Sequence, residues 1–166
     1  MNFLNMDPML RIRQNHALEH ATMHVLARRD PGLRLMGRST SKGFYVYGTV
    51  DTQTLANAAS EALARLQAGE RELAVHPRCG TNVATAGILA GLAGFAAMQG
   101  RRKRGLDALP NVLLATTVAV LVAQPLGQVI QREVSTAPNL QGVRIAGIGR
   151  RESGRMVAHQ ILLERD

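Results

Sequence analysis

The chain has 166 residues, with 20 Lys and Arg against 12 Asp and Glu, a formal net charge of +8. That balance favours anionic partners, either nucleic acid or lipid headgroups. Aromatic residues make up 3% and Trp is absent, which removes both the stacking platforms of base-binding modules and the aromatic belt of many membrane proteins.

Met1 to Leu10 lacks a basic start followed by an apolar run, so no secretory signal is expected there. From Pro8 to Arg29 the pattern is helical, with Asp7 suited to the N-cap and Pro8 to the first turn. Leu10, Ala17, Leu18, Ala21 and Val25 recur at helical spacing, and Asp30-Pro31-Gly32 ends the element. Two strand-like runs follow, Leu33 to Gly37 and Gly43 to Val50, joined by a hairpin loop at Ser39 to Lys42. Asp51 is placed to cap a second amphipathic helix over Thr52 to Gln67, which Gly69 closes. Glu72 to Val75 reads as a third short strand.

The composition changes after Gly80. Asn82 to Gln99 holds no charged residue, and Gly87, Gly91 and Gly94 stand at close-packing spacing. The basic tetrad Arg101 to Arg104 follows, and Leu109 to Ile130 is a second uncharged run, interrupted by Pro125. Each run approaches the length that crosses a hydrocarbon core, and the short turn between them implies an antiparallel hairpin. Val143 to Gly149 and Met156 to Leu163 read as two further strands, joined by a turn at Glu152 to Gly154.

The expected fold is therefore α+β: a small sheet with two amphipathic helices, interrupted by a transmembrane two-helix hairpin. Its parts are an N-terminal segment over 1–81, the hairpin over 82–130, and a C-terminal β-hairpin over 131–166 that completes the soluble part in space. The expected location is a membrane, crossed twice. The tetrad places its loop in the cytoplasm and the soluble segments outside, while the missing signal and the single cysteine, Cys79, point the other way. A hairpin dipping into one leaflet, with everything cytoplasmic, is the alternative. Lipid is the expected partner, with other membrane proteins or a second copy beside it. Nucleic acid is not expected, because the basic residues are scattered outside the tetrad.

Two segments carry chemistry, and four of the five histidines fall in them. His16, Glu19, His20 and His24 lie at i, i+3, i+4 and i+8, on one helix face. Two imidazoles one turn apart chelate a divalent ion, zinc above all, and an adjacent carboxylate can act as general base. H-x-x-E-H is the spacing of inverted zinc peptidases. The second segment is His76-Pro77-Arg78-Cys79-Gly80-Thr81, just before the first apolar run. A thiolate there is favoured by the helix dipole and by Arg78. Either His76 or Cys79 can supply the third protein ligand of a catalytic zinc. His159, in a terminal strand, reads as structural.

Asn15-His16-Ala17-Leu18-Glu19-His20-Ala21-Thr22, with His76 to Asn82 directly before an apolar run, resembles an uncharacterised family of bacterial membrane proteins. It is also similar to a bacterial membrane family described as metal-dependent enzymes, which has a G-A-E-H-K-type helix motif and an H-P-R-C-G-T motif leading into membrane helices. The resemblance implies that Glu19, His20, His76, Arg78 and Cys79 share a site. His16 departs from the Gly-type position of that family. The sequence alone thus supports two readings: a membrane-bound metal-dependent hydrolase or peptidase, with Glu19 and Arg78 catalytic and His16, His20, His76 and Cys79 as ligands, or a non-catalytic accessory subunit with a structural metal or polar cluster.

Overall fold

The computed structural model describes residues 3–99, 105–153 and 156–165. The chain divides into two compact units, one of Met1–His76 with Arg132–Asp166 and one of Pro77–Gln131.

The first unit opens with helix α1 (Met9–Arg29). Pro8 rather than Asp7 holds its N-cap position and makes no side-chain cap bond. Asp7 instead pairs with Arg11 one turn on, at 2.7 Å in solvent. Strands β1 (Met36–Thr40) and β2 (Gly43–Tyr47) form a hairpin. β1 thus begins three residues later than its apolar content suggests, and the loop shrinks to Ser41 and Lys42. Pairing decides this: Thr40 opposes Gly43 and Met36 opposes Tyr47. Gly43 takes φ +150°, where a Cβ would run into the Ile161 carbonyl, so only glycine suits that corner.

Helix α2 (Thr52–Gln67) has the expected limits and cap, with the Thr54 amide donating to Asp51 Oδ2 at 2.8 Å. The run expected to be a third strand is a 3-10 turn, Arg71–Ala74. Leu73 and Ala74 are both buried, which the period of a strand does not allow for neighbours on one face. Strands β3 (Val143–Ser153) and β4 (Met156–Arg165) form the second hairpin, with a register shift between Ile145 and Gly147. β3 runs on to Ser153 rather than ending at Gly149, so Glu152 and Ser153 of the expected turn are paired strand residues, and Gly154 lies outside the described residues.

β2 pairs antiparallel with β4, Phe44 opposite Ile161, giving a four-stranded antiparallel sheet in the order β1-β2-β4-β3. The α+β sheet is therefore split in sequence and joined in space. Leu18, Ala21, Val25 and Leu26 of α1 share its core with Leu55, Ala58 and Leu66 of α2 and with Phe44, Val46 and Ile161 of the sheet. Apolar burial of this kind is the main favourable term in folding.

The second unit is a helical hairpin. Helix α3 (Gly80–Met98) starts two residues earlier than its expected uncharged stretch, and helix α4 (Leu109–Ile130) carries Pro125 within it. At about 1.5 Å per residue they measure roughly 28 and 33 Å, close to the hydrocarbon thickness. The helices run antiparallel, since Gly94 faces Thr116 and Val112 while Asn82 faces Gly127. Asn82 also accepts from Gln131 Nε2 at 2.6 Å and donates to the Pro77 carbonyl at 2.9 Å. Gly94 and Gly127 make the close approaches; a Cβ at Gly87 or Gly91 would meet nothing within 4 Å. The close-packing role expected of Gly87 and Gly91 thus falls to Gly94 and Gly127. Val83, Ile88, Leu92, Phe95, Leu114 and Leu121 are each more than 60% exposed. Both helices are long and apolar enough to cross a membrane. The tetrad Arg101 to Arg104 lies outside the described residues.

Candidate metal centre

α1 presents His16, His20 and His24 on one face, one turn apart. The 3-10 turn brings His76 to the same face. The ring centres of His16 and His20 are 4.2 Å apart, those of His20 and His76 5.8 Å, and those of His24 and His76 4.7 Å. Four of the chain's five histidines thus gather at one place in the first unit.

Backbone carbonyls fix the rings. His20 Nδ1 lies 2.7 Å from the Ala74 carbonyl, and His16 Nδ1 lies 3.0 Å from the Ser135 carbonyl. A carbonyl only accepts, so each Nδ1 carries a proton, and the neutral form of each ring then has its lone pair on Nε2. A ring nitrogen donating to a carbonyl while the other nitrogen is left for an ion is the usual outer arrangement of metal-binding histidine. His24 has the opposite sense: Nε2 donates to the Val75 carbonyl at 2.8 Å, leaving the lone pair on Nδ1.

Two features missed at the sequence level hold this arrangement. Arg13, 9% exposed, donates to the carbonyls of Leu4, Glu133 and Thr136, each at 3.0 Å. It thereby ties α1 to the segment that carries the Ser135 carbonyl. The 3-10 turn, in turn, supplies Ala74 and Val75. The wrong expectation of a strand there hid two of the three carbonyls that orient the rings. The sequence signal for the first tie is an Arg three residues before His16, on the same face of α1.

Glu19 is 6% exposed and points to the sheet. The Ser39 hydroxyl donates to its Oε2 at 2.5 Å. A Cβ at Gly37 would lie 2.7 Å from Glu19 Cγ and closer still to the carboxylate. Neighbouring Asn15 donates to the Thr40 carbonyl at 2.6 Å, so consecutive turns of α1 are keyed into β1. This explains why polar Ser39 and Thr40 lie within the strand.

Arg78 and Cys79 belong to the second unit. Cys79 is the N-cap of α3, its Sγ accepting from the Thr81 amide at 3.4 Å. A thiol at an N-cap receives the positive end of the helix dipole, which favours thiolate.

His159 is fully buried on β4. Its Nε2 meets Thr52 Oγ1 at 3.0 Å, and its Nδ1 has no partner among the described residues. Burial, and then the nearby Arg150 charge, hold its pKa below the ordinary value of 6.5. It is remote in sequence from both motifs and belongs to the core.

Comparison with known proteins gives a family without an assigned activity. The chain is 44% identical over 139 residues to an uncharacterized protein of Picosynechococcus sp., covering 78% of this chain and 67% of that protein. No solved structure matches. Residues 11–148 match the domain of unknown function DUF6391, a span that contains the histidines of α1, the His76–Cys79 segment and the apolar hairpin, and the chain belongs to that family.

Proposed function

We propose that the chain is a metal-dependent enzyme of the bacterial inner membrane, anchored by the α3–α4 hairpin as a two-pass span, with a hydrolytic reaction as its activity. The observation that carries this reading is the paired donation of His16 and His20 Nδ1 to backbone carbonyls, which in the neutral rings makes Nε2 the ligand atom. His16, His20 and Cys79 would each give one ligand atom. Cys79 follows His76 by three residues, a span of at most about 11 Å, so chain connectivity alone keeps the thiol near the imidazoles. Mixed nitrogen and sulfur ligands suit zinc among the common divalent ions.

Zinc so bound would supply Lewis acidity and bring the pKa of a water toward neutrality. The chain's own groups then divide the work. Glu19 would take a proton, turning from its Ser39 partner to do so. Arg78 would stabilise a developing oxyanion or bind an anionic substrate group. The similarity of the two motifs to the metal-dependent membrane family supports the same assignment.

A second reading rests on the Ser39–Glu19 bond and the packing of Glu19 against Gly37. A carboxylate so engaged keys α1 to the sheet, as an accessory subunit with a structural ion would need. Metal analysis of the purified full chain separates the cases. The enzyme reading expects stoichiometric zinc, lost in His20→Ala and retained in Glu19→Gln. A metal-free wild-type protein would end the enzyme reading and leave the second with a polar cluster in place of an ion; stoichiometric zinc with no hydrolytic turnover in the wild type would leave only the second, with a structural ion.

A further inference from the structure

We infer that His24 and His76 form a second, outer site for a divalent ion of the imidazole-preferring class, Zn, Co, Ni or Cu, through which an ion loads toward His20 and His16. The inference rests on the inner ion taking Cys79, not His76, as its third protein ligand.

Ring geometry favours this pair. Imidazoles on a shared ion bind at about 2.0–2.1 Å, and with ligand angles of about 90–109° their ring centres lie roughly 4.5–5.2 Å apart. His24 and His76, at 4.7 Å and tilted by 58°, fall inside that window. His20 and His76, at 5.8 Å, fall outside it. His16 and His20, at 4.2 Å, need to open by only a few tenths of an ångström.

The proton positions agree. Donation from His24 Nε2 to the Val75 carbonyl leaves Nδ1 as the coordinating atom. Val75 precedes His76, so the same short segment orients one ring and carries the other. Both rings are half-buried, whereas His20 is 3% exposed. An ion held by two imidazoles and completed by water binds weakly and exchanges readily, as a loading site requires. His76 also neighbours His20, so the pair lies beside the inner ligands.

The test is Co(II) titration of the metal-free full chain in detergent. Two equivalents are expected: a tight one with thiolate-to-cobalt charge transfer, and a weaker one without it. His24→Ala and His24→Gln should each reduce the total from two equivalents to one while keeping the charge-transfer band, which also reports that the chain is folded. His16→Ala/His20→Ala should abolish the charge-transfer equivalent and keep the weak one. A wild-type stoichiometry of one with charge transfer, or two equivalents retained in both His24 variants, would overturn the outer site. A wild type that binds one equivalent without charge transfer, lost in His24→Ala, would uphold the outer pair and sink the inner centre.

Discussion

Gly37→Ala tests how α1 is keyed to the sheet. The new methyl would lie 2.7 Å from Glu19 Cγ, with the carboxylate closer. An exposed Glu would swing away at little cost, but Glu19 is buried and bonded to Ser39. Moving it forfeits a hydrogen bond to a charged group, worth roughly 1.5–3 kcal/mol. Any residual overpacking adds to that, typically by about 1–3 kcal/mol. A destabilisation of about 2.5–6 kcal/mol is expected in equilibrium denaturation of the detergent-solubilised chain. The effect must also be coupled. In Glu19→Ala the space opens, so adding Gly37→Ala should cost at least about 1 kcal/mol less than in the wild type. A Gly37→Ala variant within about 0.5 kcal/mol of wild type, or two effects that simply add, would refute the packing of Glu19 against β1.

In the hairpin, Gly127→Ala places a Cβ 3.0 Å from Asn82 Cγ and should break the Asn82–Gln131 bond, costing roughly 0.6–1.7 kcal/mol in an SDS-unfolding assay; Gly91→Ala, which meets nothing, should be neutral, and equal effects would count against the helix pairing. His159 gives a pH dependence. Its pKa is lowered in the fold, so between that value and 6.5 the unfolded chain binds the extra proton. Its stabilisation is complete above 6.5 and is lost as pH falls through the folded value. Denaturation midpoints at pH 7.5 and 5 should therefore converge in His159→Gln relative to wild type, and an unchanged difference would contradict the buried neutral ring.

Local signals carried the helices well. Asp51 and the apolar stripe of α2 sufficed for its limits, because both the cap and the stripe act within a few residues. The charge-free runs were enough to place α3 and α4. β1 was misplaced because its register is set by the two-residue turn and by Gly43 rather than by its own apolar content. The Arg71–Ala74 turn carries no local signal, because burial of both Leu73 and Ala74 depends on what packs over them. At the site, the i, i+4 spacing of His16 and His20 was legible in the sequence. The direction of Glu19 was not: its helix position allows it to face the histidines or β1, and Ser39 and Gly37 decide. The ring tautomers were equally invisible, since they depend on the carbonyls of Ala74, Val75 and Ser135, which any residue type would offer.

The most direct measurement of the central claim is zinc X-ray absorption on the full chain loaded with one equivalent. Coordination by His16, His20 and Cys79 predicts two imidazole nitrogens at about 2.0 Å and one sulfur at about 2.3 Å, with the sulfur shell lost in Cys79→Ser. A spectrum with oxygen neighbours alone, or one unchanged by Cys79→Ser and His20→Ala, would contradict it.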